Sequence, residues 1–196
     1  MSEKKAQPNP LKAKLRLDVD ARLAAMTDED RERQSRIIVS KILAHPKYKS
    51  AKRISLFLSL PTEIPTEPIL NDILSRGDAA FVPQYGRGQM RMLRVLPGDM
   101  EEMVETSWKI KQHRKDAVRE DAMEKGLDLV IAPGAAFTRD GRRCGHGGGY
   151  YDRYLTALRT QHARVYVMAV AFHQQLYPEV PVDDTDVQVD EVITAE

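Results

Sequence analysis

The residues best suited to chemistry lie in a glycine-rich stretch, residues 132–155, between an apolar run and a helix-like pattern. Its glycines at positions 145 and 147–149 allow the backbone to approach a ligand closely, and Arg142 and Arg143 add positive charge. Because unpaired N–H groups and the dipole at a helix start attract anions, the stretch predicts a phosphate-binding loop. A flexible surface loop is the alternative.

Two common phosphate motifs do not fit this stretch. A Walker loop requires Lys and then Ser or Thr after its last glycine, whereas Tyr150 and Tyr151 follow Gly149. The dinucleotide fingerprint, counted from Gly145, requires glycine at position 150. The predicted anion-binding loop therefore belongs to neither class.

From spacing alone, the charged residues outside the glycine loop can be interpreted as surface or helix-start residues without a binding role. Lys12, Lys14 and Arg16 resemble a solvated helix face, and Asp152 is a typical helix-start residue. Glu63 follows a predicted strand, where a loop residue and a ligand-binding carboxylate are both reasonable. Trp108 could fill the core or stack on a ligand.

The elements that must position these residues alternate along the chain. Predicted helices are a first helix capped by Asn9-Pro10, a second from Thr27 to about Ala44, and others at 66–74 and 150–159. Predicted strands are 53–59, 79–82, 90–95, 127–132, 165–172 and 187–193. This alternation predicts an α/β fold: a single-domain three-layer sandwich over residues 1–196, with a mostly parallel central sheet, an N-terminal helical pair and a flexible tail at 1–10.

Composition excludes several classes of protein. The 196 residues include 30 basic and 29 acidic side chains, so there is no basic excess of the kind that nucleic-acid binders use. The single cysteine, Cys144, rules out an internal disulfide and a cysteine-rich zinc site. The longest apolar run, 165–172, is far short of about 20 residues. We therefore expect a cytoplasmic protein, without nucleic-acid or membrane partners, that is a monomer.

The full motif resembles the signature of the 5-formyltetrahydrofolate cyclo-ligase family, also called 5,10-methenyltetrahydrofolate synthetases. It reads Pro133-Gly-Ala-Ala-Phe-x-x-x-Gly-x-Arg-x-Gly-x-Gly-Gly-Gly-Tyr-Tyr-Asp152. Other matching segments follow in family order: Lys12-x-Lys-Leu-Arg16, Glu63-Ile-Pro-Thr66, Thr106-Ser-Trp108, Val180-Pro-Val182 and Asp186-x-x-Val-Asp-Glu191.

The resemblance implies an enzyme that uses ATP and Mg²⁺ to close 5-formyltetrahydrofolate, with or without a polyglutamate tail, into 5,10-methenyltetrahydrofolate. ADP and phosphate are released through a phosphorylated formyl intermediate. The implied ATP-binding residues are Lys12, Ala13, Lys14, Leu15, Arg16, Arg143, Cys144, Gly145, His146, Gly147, Gly148, Gly149, Tyr150 and Tyr151. The implied substrate-binding residues are Arg16, Leu58, Glu63, Trp108, His146, Gly147, Gly148, Gly149 and Tyr150, and the implied Mg²⁺ ligands are Asp152 and Asp186. No further catalytic residue is implied.

Two residues depart from the family pattern, which commonly has leucine at position 144 and arginine at position 146. Cys144 is interpreted as a small apolar substitute, since this chemistry needs no thiol, whereas His146 changes the charge beside the phosphates. Two other functions stay open from the residues alone. One is a phosphosugar isomerase or CoA-transferase relative, and the other is a folate- or nucleotide-binding regulatory module.

Overall fold

The computed structural model describes residues 9–86, 88–162 and 164–196. Its helices are α1 (Pro10–Ala24), α2 (Asp28–Ala44), α3 (Pro46–Ser50), α4 (Glu67–Ser75), α5 (Asp99–Glu102) and α6 (Tyr150–Gln161). Its strands are β1 (Arg53–Leu56), β2 (Ala79–Gly86), β3 (Gln89–Arg94), β4 (Val104–Glu105), β5 (Lys111–Gln112), β6 (Leu129–Ala132), β7 (Ala136–Phe137), β8 (Arg143–Cys144), β9 (Tyr166–Val170) and β10 (Glu191–Ile193). The predicted tail lies outside the described residues, except for its last two positions.

Local capping explains where the first two helices begin. The Asn9 side chain accepts a hydrogen bond from the N–H of Leu11 at 3.0 Å, and Thr27 accepts one from Asp30 at 3.1 Å. Both predicted starts are confirmed. The helix predicted at 66–74 begins at Glu67, and Thr66 before it does not cap it through its side chain, because its buried hydroxyl donates to the carbonyl of Phe57 at 2.7 Å. Thr66 therefore ties the loop that follows β1 to the start of α4.

The central sheet has the strand order β10-β9-β6-β1-β2-β3, and all its pairings are parallel except β2 with β3. The crossover from β1 to β2 carries α4, and the crossover from β6 to β9 carries α6 in the opposite direction across the sheet. Because such crossovers are right-handed, α4 and α6 cover opposite faces. The predicted three-layer sandwich with a mostly parallel sheet is confirmed.

Strand bounds differ from the prediction mainly at β1, at β2 and at β10, which begins at Glu191 instead of position 187. The strand β1 ends at Leu56 instead of position 59, whereas β2 continues past Pro83 to Gly86. Proline is tolerated there because the pairing between β1 and β2 ends at Phe81, so the missing N–H breaks no bond to β1. Strand β2 thus extends beyond the carboxyl end of β1.

The core lies on both faces of the sheet, and its central strand β6 is completely buried, as expected for parallel strands. Each fully buried Leu or Ile contributes about 1.5–3 kcal/mol relative to an exposed one. This packing gives the loops at the strand ends a rigid base. Within the described ranges, no helix combines the length and apolar character needed to cross a membrane.

Candidate functional site

Two neighbouring strands, β1 and β6, end where the strand order reverses. From β1 the chain continues to β2 on one side, and from β6 it continues to β9 on the other. In open α/β sheets, ligands bind beyond the carboxyl ends of the strands at this switch point. The loop after β1 (residues 57–66) and the stretch after β6 (residues 133–149) therefore face the expected position of a ligand.

A cleft of about 430 Å³ lies between these two loops, which is a volume typical of a small-molecule site. Most of its wall is apolar or aromatic, with a few charged groups among them. Its lining consists of Phe57, Leu58, Leu60, Glu63, Pro83, Tyr85, Trp108, Ile110, Pro133, Arg143, Gly145, His146, Gly148, Gly149, Tyr150, Tyr151 and Asp152. The structure thus brings most of the expected ATP-binding and substrate-binding residues to one place.

Glu63 and Leu58 form the β1 side of the cleft. The N–H of Leu60 donates to Oε2 of Glu63 at 2.7 Å, which fixes the carboxylate against its own loop. Burial raises the pKa of Glu63, and the Leu60 hydrogen bond opposes this only in part. A ligand that donates hydrogen bonds to Glu63 would supply the stabilisation that its charged form lacks.

Three aromatic rings enclose the opposite end of the cleft. Trp108 meets Tyr85 edge-on with ring centroids 6.1 Å apart, and Tyr150 lies 5.2 Å from Tyr85 and 6.3 Å from Trp108. Trp108 is 55% exposed, so it does not fill the core. Sequence reasoning missed Tyr85, because the predicted β2 ended at Val82, three residues before it.

The glycine loop (residues 145–149) has a backbone that only glycine adopts readily. Gly147 and Gly149 have φ angles of +106° and +62°, and a Cβ at position 148 would lie 2.7 Å from the ring of Tyr150. Gly149 precedes α6 and has no side chain to cap it. The first N–H groups of α6 are therefore suitable donors for a phosphate.

Helix α1 brings one cation to this loop and a second to the acidic residues Asp183 and Asp186. Arg16 donates from Nε to the carbonyl of Gly145 at 2.8 Å, and its guanidinium also lies beside Gly147. Lys12 is buried and pairs with Asp183 at 2.7 Å and with Asp186. Burial of Lys12 opposes its charge, but the two carboxylates outweigh this and raise its pKa.

The remaining expected residues near α1 and β8 face other directions. Ala13 and Lys14 are exposed, whereas Lys12 and Arg16, four residues apart, share the face that meets the site. Leu15 packs against a small apolar cluster that includes Cys144. Burial raises the pKa of the Cys144 thiol, which is consistent with a small apolar substitute.

The two expected Mg²⁺ ligands, Asp152 and Asp186, are connected through Val187, whose backbone N–H bonds to Asp152. Oδ1 of Asp152, in the first turn of α6, accepts hydrogen bonds from Arg143 at 2.6 Å and from the N–H of Val187 at 3.1 Å. Asp186, the residue before Val187, accepts through Oδ2 from Lys12 and from the N–H of Asp183. In the described part of the chain, no hydrogen bond or ion pair reaches the second oxygen of either carboxylate.

The carboxylates of Asp152 and Asp186 suit Mg²⁺, which needs few protein ligands, better than a metal whose ligands all come from protein side chains. Among the described residues, no group of three or more His, Cys, Asp or Glu side chains is arranged to hold a metal. Magnesium usually takes one or two carboxylates and completes its shell with phosphate oxygens and water. Asp152 and Asp186 are adequate as such a pair.

Two further site residues have distinct surroundings. Tyr151 is buried behind the cleft wall, so only part of it reaches the lining. His146 lies at the junction of this cleft with a second cavity of about 370 Å³, which also shares Phe57, Leu60, Glu63 and Pro133. His146 is exposed overall, yet desolvation by the surrounding protein and the positive charges of Arg143 and Arg16 lower its pKa, an effect that the negative charge of Asp20 opposes in part.

A glycine-rich loop before a helix, an aromatic-lined cleft and the carboxylates of Asp152 and Asp186 at the switch point of a mostly parallel sheet are typical of an α/β enzyme. The sequence profile described as the 5-formyltetrahydrofolate cyclo-ligase family matches residues 8–195. The chain belongs to this family.

Similar proteins agree with this assignment. The chain is 42% identical over 190 residues to the 5-formyltetrahydrofolate cyclo-ligase of Mus musculus, covering 94% of each. It is 33% identical to a probable 5-formyltetrahydrofolate cyclo-ligase of Caenorhabditis elegans, covering 93% of this chain and 92% of that one. The NMR structure of the 5,10-methenyltetrahydrofolate synthetase of Aquifex aeolicus superimposes with a TM-score of 0.77 at 25% identity, over 95% of this chain and 90% of that one. Family membership sets aside the isomerase and CoA-transferase interpretation.

Proposed function

We propose that this chain catalyses the ATP- and Mg²⁺-dependent cyclisation of 5-formyltetrahydrofolate to 5,10-methenyltetrahydrofolate. Family membership and the named relatives indicate the synthetase activity. The observation that carries the proposal is the cleft itself, because Glu63 and Trp108 line the same cavity as the glycine loop and Asp152. A folate and a phosphate donor would thus meet in one site.

The folate side of the proposal rests on shape and hydrogen bonding. The aminopyrimidine edge of the pterin offers two neighbouring N–H donors, which match the two oxygens of Glu63. The flat ring of Trp108, with Tyr85 and Tyr150 beside it, suits stacking of an aromatic part of the substrate. Leu58 would supply an apolar contact on the Glu63 side of the cleft.

The nucleotide side rests on charge. Arg16, Arg143 and the N–H groups of the glycine loop would hold the phosphates of ATP, and Lys12 would do so after weakening its pairing with Asp186. Magnesium held by Oδ2 of Asp152 and Oδ1 of Asp186, the oxygens without protein hydrogen bonds in the described part of the chain, would neutralise charge on the transferred phosphoryl group. These residues orient the reactants and stabilise charge, and none forms a covalent bond.

The reaction balances without a further co-reactant. The formyl oxygen of the substrate attacks the γ-phosphorus of ATP, the bond to the bridging oxygen breaks, and ADP leaves. The resulting iminium phosphate has an activated carbon, which nitrogen 10 attacks to close a five-membered ring. Phosphate then departs with the original formyl oxygen, and nitrogen 10 loses its proton.

Other properties implied by the family stay predictions. We expect a monomer in the cytoplasm that has no nucleic-acid or membrane partner and accepts substrate with or without a polyglutamate tail. We expect a single domain over residues 1–196, since the sheet joins strands from both halves of the chain. The relatives are named as ligases, which argues against a regulatory module without turnover.

An isotope experiment tests the proposed route. The substrate is prepared with ¹⁸O in its formyl group and converted with unlabelled ATP, and the released phosphate is examined by ³¹P NMR. The proposal expects one ¹⁸O atom in each phosphate formed. Label that stays out of phosphate while methenyl product accumulates would contradict the phosphorylated intermediate, and absence of any product would favour the regulatory module.

A further inference from the structure

The hairpin formed by β4 and β5 carries Trp108 but is too short to hold itself in place. Each strand has two residues, and isolated two-stranded hairpins are marginally stable. Its turn is internally ordered, because Oγ1 of Thr106 accepts hydrogen bonds from the N–H of Trp108 at 3.2 Å and of Ile110 at 3.3 Å. The orientation of Trp108 therefore depends on what attaches the hairpin to the sheet.

Gln112, the last residue of β5, makes that attachment. Its side chain is 5% exposed, and its carboxamide bonds both backbone groups of one residue in β2. Oε1 accepts from the N–H of Tyr85 at 2.9 Å, and Nε2 donates to the carbonyl of Tyr85 at 3.3 Å. This two-point contact imitates the bonding of a neighbouring strand at the place where β1 has already ended.

The consequence is a defined distance between two rings of the cleft. Gln112 hydrogen-bonds the backbone of Tyr85, and the Tyr85 ring meets the Trp108 ring edge-on with their centroids 6.1 Å apart. A second glutamine, Gln84, donates to the carbonyl of Arg114 at 2.8 Å and so holds the chain beyond the hairpin. Gln84 fixes where the segment runs, whereas Gln112 fixes how the hairpin is placed over Tyr85.

We propose that Gln112 is a positioning residue for the folate substrate, acting by holding Trp108 against Tyr85 in the geometry that the substrate's aromatic part requires. The proposal rests on the proposed function for the role of the cleft. The positioning of Trp108 itself can be tested without substrate, because Trp108 is the only tryptophan and its fluorescence reports this place alone.

The test compares Gln112→Met, which keeps the length of the side chain and removes both hydrogen bonds, with Gln89→Met as a matched control. Gln89 lies on β3 and is exposed. In the substrate-free protein, acrylamide should quench Trp108 more strongly in Gln112→Met than in the wild type. In the assay, KM for 5-formyltetrahydrofolate should rise about tenfold, with KM for ATP and kcat nearly unchanged. The control should match the wild type in quenching, in both KM values and in kcat.

Unchanged quenching together with unchanged folate KM in Gln112→Met would overturn the proposal, and so would an equal rise in both KM values, which indicates general damage. If Gln112→Met does not fold, Gln112→Asn is measured, and its shorter amide should shift the quenching and the folate KM in the same directions by less. If the wild type does not cyclise the substrate, the proposed function fails, whereas the quenching result still decides whether Gln112 positions Trp108.

Discussion

Arg143 and Asp152 form a buried ion pair across the entrance to α6. The guanidinium donates from Nη2 to Oδ1 of Asp152 at 2.6 Å, and the same oxygen accepts from the N–H of Val187. The pair therefore joins β8, the first turn of α6 and the chain beside Asp186. Under the proposed function this carboxylate has two tasks, since it supports the fold through one oxygen and would bind Mg²⁺ through the other.

The first prediction separates these two tasks. Asp152→Asn should weaken Mg²⁺ binding and also lower the free energy of unfolding by about 3 kcal/mol, because Arg143 is left buried without a counter-charge. Asp186→Asn should weaken Mg²⁺ binding but lower the free energy of unfolding by less than about 1 kcal/mol, since Lys12 keeps Asp183. Magnesium titration of ATP-dependent activity and urea unfolding measure the two effects. Titrations of both variants that overlay the wild type would refute the metal assignment.

The second prediction concerns Glu63→Gln. Because burial raises the pKa of Glu63, its ionised form disfavours folding; this penalty is absent below the ordinary pKa of glutamate and becomes complete as pH rises through the raised pKa. The substrate-free variant should therefore be more stable than the wild type at pH 7, and the two stabilities should converge below about pH 4. Folate affinity should fall, by about 1.5–3 kcal/mol for the lost charged acceptor.

Thermal unfolding at both pH values and folate titration check this trade-off. The amide oxygen of glutamine can still accept from the N–H of Leu60, so the loop itself should keep its conformation. Unchanged folate affinity with weakened ATP affinity would show that Glu63 contacts the nucleotide and not the folate.

The third prediction concerns His146, where the family commonly has arginine. Desolvation, Arg143 and Arg16 lower the pKa of His146, so the free protein holds it mainly neutral at pH 7. Bound phosphates should raise that pKa, so ATP binding should take up a proton and weaken as pH rises from 6 to 8. His146→Arg should flatten this dependence and tighten ATP binding more at pH 8 than at pH 6.

Calorimetry in buffers of different ionisation enthalpy measures the proton uptake. The arginine variant should show none from this position, because its side chain is charged throughout this range. Equal uptake in both proteins, with parallel pH profiles, would remove His146 from the nucleotide site.

The fourth prediction concerns the exposed ring of Trp108. Trp108→Leu should raise KM for the folate about threefold to tenfold, through loss of aromatic stacking, without changing KM for ATP. Trp108→Phe is the matched control and should lie between the wild type and leucine. Steady-state kinetics with each substrate varied in turn provides the measurement. Indistinguishable folate KM values for all three proteins would show that the substrate does not touch this ring.

Much of the fold can be predicted from the sequence because it depends on local signals. The caps at Asn9 and Thr27 act within three residues, and the buried strand β6 is a continuous apolar run that follows Asp128 and ends before Pro133. The glycine loop is also readable, since its positive φ angles at Gly147 and Gly149 leave little choice of residue.

The rest depends on contacts between distant residues. Lys12 and Asp186 are 174 positions apart, and their spacing carries no sign that they pair. Tyr85 enters the cleft only because β2 continues past Pro83 where β1 has ended. The hairpin that carries Trp108 is likewise attached to β2 through the amide of Gln112, which lies 27 positions from its partner Tyr85.

The central claim is that one cleft joins a folate to a phosphate donor and closes the ring. Its most direct test follows the absorbance of methenyltetrahydrofolate from 5-formyltetrahydrofolate, with ATP and Mg²⁺ supplied together, singly or not at all, while ADP is quantified. The account predicts product only when both are present, with one ADP formed for each methenyl group. Product formed without ATP, or ADP formed without product in the complete mixture, would contradict it.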